Sequence, residues 1–462
     1  MPDRPHILVL MPDQQRGDCL SCAGHPVVRT PHMDRLAAEG VRFANATTTC
    51  PVCMPARSSF LAGTYCHNHG QWGNYGHLPA DADTYLRHVK AVGYRTCHVG
   101  KSHLYPHHGD LRDQEPFMRA LGWDDIREVT GPWATVAADS IMTDRWRELG
   151  CLDTFRDDYR KRKEAGSPNA TWPSPMPPGE TLDDFVGRTA VEYVNGYDRD
   201  EPLLLFVGFC GPHEPWDPPA DWAEQYDPAD MPPPDPVCEP GAWLSEKAAE
   251  RERGYGHVVD ATPEQVALMR ARYYAKISHI DDWFGRILAA YEARGWLENT
   301  AVIFWSDHGE MLGDKGRLFK SVFYRQAATV PLIVRRPGEA NAGAVSDALV
   351  QQTDCFPTIL DLAGCEPKEN AVGRSLAPAC DDPAAPVHDA VFGEIQRKTM
   401  IRDEHHKMVL DRDGDVLLLY DVQTDPLEHE NLAGNPDLAA VEHRLRDRLL
   451  RWHLDTATDQ RA

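Results

Sequence analysis

Four short polar runs in this sequence carry residues able to do chemistry, and each follows a stretch that reads as a strand. They are Asp13-Gln14, Gly100-Lys101-Ser102-His103, Gly211-Pro212-His213 and Ser306-Asp307-His308-Gly309. The 21 histidines often sit in polar clusters, such as His67 with His69 and His107 with His108, rather than on periodic apolar faces. Imidazoles beside carboxylates and an ammonium can bind a charged group and move protons. Gly100-Lys101-Ser102 superficially suggests a P-loop, but that motif needs a Gly five residues earlier, where the chain has Arg95. The pairs Cys19-x-x-Cys22 and Cys50-x-x-Cys53 have the form of a four-thiolate zinc site. On that reading the chain is a non-catalytic binding protein.

The stretches that precede these residues read as strands, apolar throughout most of their length except at 94–99. They cover 6–11, 94–99, 201–209 and 299–306, with a further strand at 330–335. Helices are predicted at 31–39, with Thr30 as N-cap, Pro31 in the first turn and Gly40 as stop, at 83–92, closed by Gly93, and at 263–292. Strands alternating with helices predict an α/β fold with a large, mostly parallel sheet flanked by helices. Open sheets of that kind hold ligands beyond the carboxyl ends of their strands, which is where the four polar runs fall. The proline-rich stretches 167–178 and 218–240 read as surface loops. After about residue 378 short strands are predicted at 390–395, 399–402, 406–411 and 416–420, then a helix at 437–453. The expected organisation is an α/β domain over 1–378 and a small antiparallel α+β subdomain over 379–462.

Composition narrows the function. With 48 basic and 71 acidic residues the net charge is −23, which excludes binding of nucleic acid or an anionic membrane through bulk electrostatics. An anionic substrate would need a local cluster of cations. No run of about 18 apolar residues is present, so no transmembrane helix is expected. The apolar stretch Ile7–Met11 is too short for a signal peptide and is soon followed by Asp13. The expectation is a cytoplasmic protein whose 12 cysteines are mostly reduced.

The most informative stretch is Cys50-Pro-Val-Cys53-Met-Pro55-Ala-Arg57-Ser-Ser-Phe-Leu61-Ala-Gly63. Its Cys-x-Pro-x-Arg followed by Leu-x-Gly resembles the signature of the type I, formylglycine-dependent sulfatases of the alkaline phosphatase superfamily. That resemblance implies oxidation of Cys53 to formylglycine (3-oxoalanine) by a formylglycine-generating enzyme. The aldehyde hydrate would attack sulfur and expel sulfate by collapsing back to aldehyde. It further implies that Asp13, Gln14, Asp307 and His308 hold one divalent ion, with position 53 at its open site. Carboxylates, an amide oxygen and one imidazole make a hard site for Ca²⁺ or Mn²⁺. The Asp-Gln and Asp-His pairs are more similar to choline-sulfatase-type and phosphonate monoester hydrolase members than to the commoner Asp-Asp and Asp-Asn sulfatases, and the imidazole favours Mn²⁺.

The same resemblance assigns charge stabilisation to Arg57, Lys101 and Lys320, the last thirteen residues after Asp307. His103 would be the base for release and His213 the acid toward the leaving group. Lys101, His213, Lys320 and Asn74 would touch substrate. The resemblance runs from about Ile7 to Asn431, ending on Leu419-Tyr-Asp421 and Thr424-Asp-Pro. The expected activity is hydrolysis of a small anionic sulfate ester. A phosphonate monoester or phosphodiester hydrolase built on the same residues is the alternative, and a homo-oligomer is left open.

Overall fold

Uninterrupted apolar runs become the middle of the main sheet. In the computed structural model, which describes residues 4–457 apart from 370 and 397, the strands before the C-terminal region are β1 (His6–Asp13), β2 (Val41–Thr47), β3 (Arg95–Gly100), β4 (Asp125–Glu128), β5 (Leu203–Pro212), β6 (His257–Val258), β7 (Thr300–Trp305), β8 (Arg317–Leu318), β9 (Leu332–Arg335) and β10 (Ala344–Gln351). Eight of them form one sheet in the order β10-β2-β9-β7-β1-β5-β3-β4, while β6 and β8 make a separate two-stranded ribbon. Along β1, Leu8 and Leu10 enter one core cluster and Ile7, Val9 and Met11 the other. A strand buried on both faces must be apolar at every position, as these runs are.

Within this sheet β7, β1, β5, β3 and β4 are mutually parallel neighbours. The strand expected at 330–335 is shorter and runs antiparallel to both its neighbours, β7 and β2. The chain leaves β7 at the carboxyl edge and stays there through residues 306–331, where its one α-helix is the single turn Arg325–Ala328. Without a crossover to the opposite edge, the next strand can only run back. Three strands of this sheet, and both strands of the β6–β8 ribbon, were absent from the sequence reading. β2 and β10 carry Arg42, Asn45, Ser346 and Asp347 among apolar residues, and β4 is a four-residue edge strand.

The predicted helices form at Pro31–Glu39, Tyr85–Ala91 and Pro263–Ala293. Thr30 is not the side-chain cap of the first. Asp281, from the long helix, accepts the backbone N–H groups of His32 and Met33 at 3.0 and 2.8 Å instead. The last strands are β11 (Ala390–Ile395), β12 (Lys398–Asp403), β13 (His406–Leu410) and β14 (Val416–Asp421), an antiparallel sheet in chain order. The helix Ala439–Thr456 covers it through Leu445, Leu449 and Trp452, packed with Ile401, Met408 and Leu419. This sheet meets the main one at the chemistry-bearing edge, where Glu394 N donates to Thr49 O at 2.8 Å.

Candidate active site

Because β7, β1, β5 and β3 are parallel neighbours, their carboxyl ends open on the same edge. Asp307, Asp13, His213 and Lys101 are thereby delivered side by side from segments up to 294 residues apart in sequence. Cys53 joins them as the first residue of the helix Cys53–Ala62, all ten residues of which are buried. A helix N-terminus favours negative charge. Asn74 Oδ1 accepts from Met54 N at 3.1 Å and so caps this helix.

Ligand atoms of Asp13, Cys53, Asp307 and His308 all lie within 4.8 Å of one another, and this buried group can hold a metal ion. Cys53 Sγ is 3.2 Å from His308 Nε2 and 3.7 Å from Asp13 Oδ1. His308 Nδ1 donates to Gly309 O at 2.9 Å, which leaves the Nε2 lone pair facing the group. Burial draws the His308 pKa down, so the imidazole is in the neutral form a metal requires. Two carboxylates and one unprotonated imidazole, closed by position 53, are a donor set suited to a hard or borderline divalent ion.

Three cations surround these carboxylates. Arg57 Nε donates to Asp307 Oδ2 at 2.9 Å, one terminal nitrogen to Asp13 Oδ2 at 3.2 Å and the other to Lys101 O at 2.7 Å. Lys101 Nζ pairs with Asp13 Oδ2 at 2.5 Å. Burial alone would push the Asp13 carboxyl up, but Lys101, His213, Arg57 and Lys320 outweigh it and hold it well below the usual carboxylate range. Burial likewise opposes the Lys320 ammonium, and Cys53, Glu214, Asp13 and Asp307 overcome it to raise its pKa. This is the local cationic pocket that a chain of net charge −23 needs in order to bind an anion.

Gln14 reaches the same edge. Its amide oxygen accepts from Lys320 Nζ and its backbone N–H donates to Asp307 Oδ1 at 2.9 Å. His213 Nδ1 donates to Glu214 O at 2.6 Å. His103 sits at a backbone φ of 50°, and its Nδ1 is buried with no hydrogen-bond partner. Burial, then Lys101 and His107, hold its pKa well below the usual imidazole value, so His103 is neutral. Its ring centroid lies 5.0 Å from that of His107.

One match decides what this arrangement is: a family model described as Sulfatase fits residues 5–365. The chain belongs to the sulfatase family. A second model, described as N-sulphoglucosamine sulphohydrolase, C-terminal, fits residues 313–455. An arylsulfatase of Clostridium perfringens is 28% identical over 94% of this sulfatase and 91% of its own length. A multifunctional alkaline phosphatase superfamily protein of Trinickia caryophylli is also 28% identical, over 98% and 96% of the two chains. Among solved structures, a phosphonate monoester hydrolase of Agrobacterium radiobacter superposes with a TM-score of 0.78 at 26% identity, covering 98% of this chain and 96% of its own.

The four-thiolate zinc site does not form in this sulfatase. Cys19 packs against the long helix, Cys22 N bonds Asp34, and Cys50 lies in an apolar cluster with Cys66, while Cys53 alone faces the carboxylates. His67 and His69 are structural. His67 bonds Glu394 and Thr456, and His69 bonds Ser59 and Gln71. Sequence reasoning gave no role to Glu214, Glu310 or Lys276. The first two directly follow predicted motifs, Glu214 next to His213 and Glu310 two residues after His308, and that proximity was the available signal. Lys276 offered none, because it lies on a long helix. There its Nζ donates to His213 O and Pro215 O at 3.1 Å each and to Asp217 Oδ1 at 2.9 Å.

Proposed function

We propose that this sulfatase hydrolyses a sulfate ester at position 53, matured to formylglycine, beside one Mn²⁺ or Ca²⁺ ion. The observation that carries the reading is the convergence of Cys53 with Asp13, Asp307 and His308 inside a ring of Arg57, Lys101 and Lys320. Formylglycine would supply a hydrated aldehyde, able to attack sulfur and to release sulfate by collapse. A bound divalent ion would supply Lewis acidity at the same point.

The remaining roles belong to side chains already in place. Asp13, Asp307 and His308 would hold the ion, with the Gln14 oxygen beside them. Arg57 keeps both carboxylates oriented through its two contacts, and Lys101 and Lys320 neutralise charge on the ester oxygens. His103, neutral and with a free buried Nδ1, accepts the proton lost from the nucleophile's second hydroxyl on release. His213 keeps its Nδ1 on Glu214 and gives a proton from Nε2 to the leaving oxygen. Asn74 acts first as a cap on the nucleophile's helix, with its amide N–H₂ left for substrate.

The test joins intact mass to turnover. A chain coexpressed with a formylglycine-generating enzyme loses H₂S and gains O at position 53, and cleaves an aryl sulfate only in that form. Modified, metal-replete enzyme that leaves every aryl sulfate intact refutes the reading. The likeness to the Agrobacterium radiobacter phosphonate monoester hydrolase favours one second reading, cleavage of phosphonate monoesters by the same residues. An aryl phosphonate ester in the same panel decides between them.

A further inference from the structure

Glu310 is fully buried at the reactive edge and takes no part in the chemistry above. We propose that Glu310, together with Glu214, is a positioning residue that fixes which atom of the Gln14 amide faces the metal and Lys320. This rests on the reading of the edge as a metal-dependent ester hydrolase.

A glutamine amide can sit in either of two flips that exchange its oxygen and nitrogen. Here the surroundings allow one. Gln14 Nε2 donates to Glu214 Oε2 at 2.9 Å and also to Glu310 Oε2, while Oε1 accepts from Lys320 Nζ. The opposite flip would set the oxygen against two carboxylates and the N–H₂ group against an ammonium. The backbone cannot relax away from this choice. Gln14 is held at a φ of 74°, its N–H on Asp307 at 2.9 Å and its carbonyl on the Tyr273 hydroxyl at 2.6 Å. The one flip left presents an oxygen, the atom a hard cation binds.

Glu310 is itself clamped. Its Oε1 accepts from Leu312 N at 2.9 Å and Phe319 N at 2.5 Å. Both donors are non-glycine residues at positive φ, 48° and 65°, and Phe319 immediately precedes Lys320. One carboxylate therefore ties the Gln14 amide to the loop that delivers Lys320. The pair also gives a physical reason for an amide at position 14. A carboxylate there would face Glu214 and Glu310 with no donor between them, whereas the amide supplies two N–H groups.

A double-mutant cycle on metal affinity tests the proposal, using E310Q, Q14A and Q14A/E310Q as full-length, chelator-stripped protein titrated with Mn²⁺ by electron paramagnetic resonance. A residue that orients a metal ligand typically costs about 10–100-fold in affinity when changed. E310Q is expected to lose affinity in that range, and Q14A/E310Q to bind no more weakly than Q14A alone. Should E310Q fail to fold, E214Q, which removes the other carboxylate from the same Nε2, carries the same cycle. The proposal is overturned by wild-type affinity in the Glu variants, by losses that multiply in the double variant, or by wild-type protein that binds no Mn²⁺. Wild-type protein matured to formylglycine at position 53 that binds Mn²⁺ with the expected coupling, yet cleaves no sulfate ester, supports the clamp and refutes the functional reading instead.

Discussion

Lys276→Met removes a buried ammonium and keeps most of its apolar stem, so it isolates what that charge holds in place. The ammonium satisfies three acceptors, the carbonyls of His213 and Pro215 and the Asp217 carboxylate. Without it both carbonyls lose this donor, and the buried Asp217 retains the Tyr159 hydroxyl at 2.7 Å. Breaking a buried ion pair by removing one partner costs about 3–5 kcal/mol. For a chain this long the unfolding entropy is about 1 kcal/mol per kelvin, so Tm should fall by roughly 3–5 °C. The His213 carbonyl is one of the freed acceptors, and a displacement of about 1 Å in a reacting group costs roughly a hundredfold in rate. We expect kcat to fall by about that factor with KM little changed, because Lys101 and Lys320 still bind the anion. A thermal scan and steady-state kinetics on an aryl sulfate measure both effects. A Tm within about 1 °C of wild type together with an unchanged kcat would show that Lys276 does not position His213, and the argument would fail.

Two further outcomes follow from the electrostatics. Burial, then His67, pulls the His69 pKa down to about 3, and its Nδ1 accepts the Gln71 N–H, so the folded chain resists a proton that the unfolded chain takes near pH 6.5. Stability is therefore complete above that pH and falls as acid is added, by about 1.4 kcal/mol per pH unit from this group. Denaturation of His69→Asn should show a shallower loss between about pH 6 and pH 4, and an unchanged slope contradicts the assignment. Adding Mn²⁺ to chelated enzyme at about 100 times its Kd should stabilise the fold by about 2.7 kcal/mol, near 3 °C in Tm. Asp307→Asn should abolish that shift, and a full shift in this variant would remove Asp307 from the ligand set.

The sequence alone determined where the reactive side chains would be. Asp13, His213 and Asp307 each follow a run apolar at successive positions, as a strand covered on both faces requires, whereas Lys101 follows the mixed strand Arg95–Gly100. Cys53 and Arg57 were readable from their resemblance to the Cys-x-Pro-x-Arg signature, and the structure sets the two one turn apart on a helix. Tertiary structure alone decided which strands are neighbours. It turned β9 antiparallel and gave Glu214, Glu310 and Lys276 their work. A buried charge and a solvated one look alike in sequence, because what separates them is a partner supplied from elsewhere in the chain. Glu310 meets Gln14 across 296 residues and His67 meets Glu394 across 327, and no local pattern encodes a contact made only after the sheet has closed.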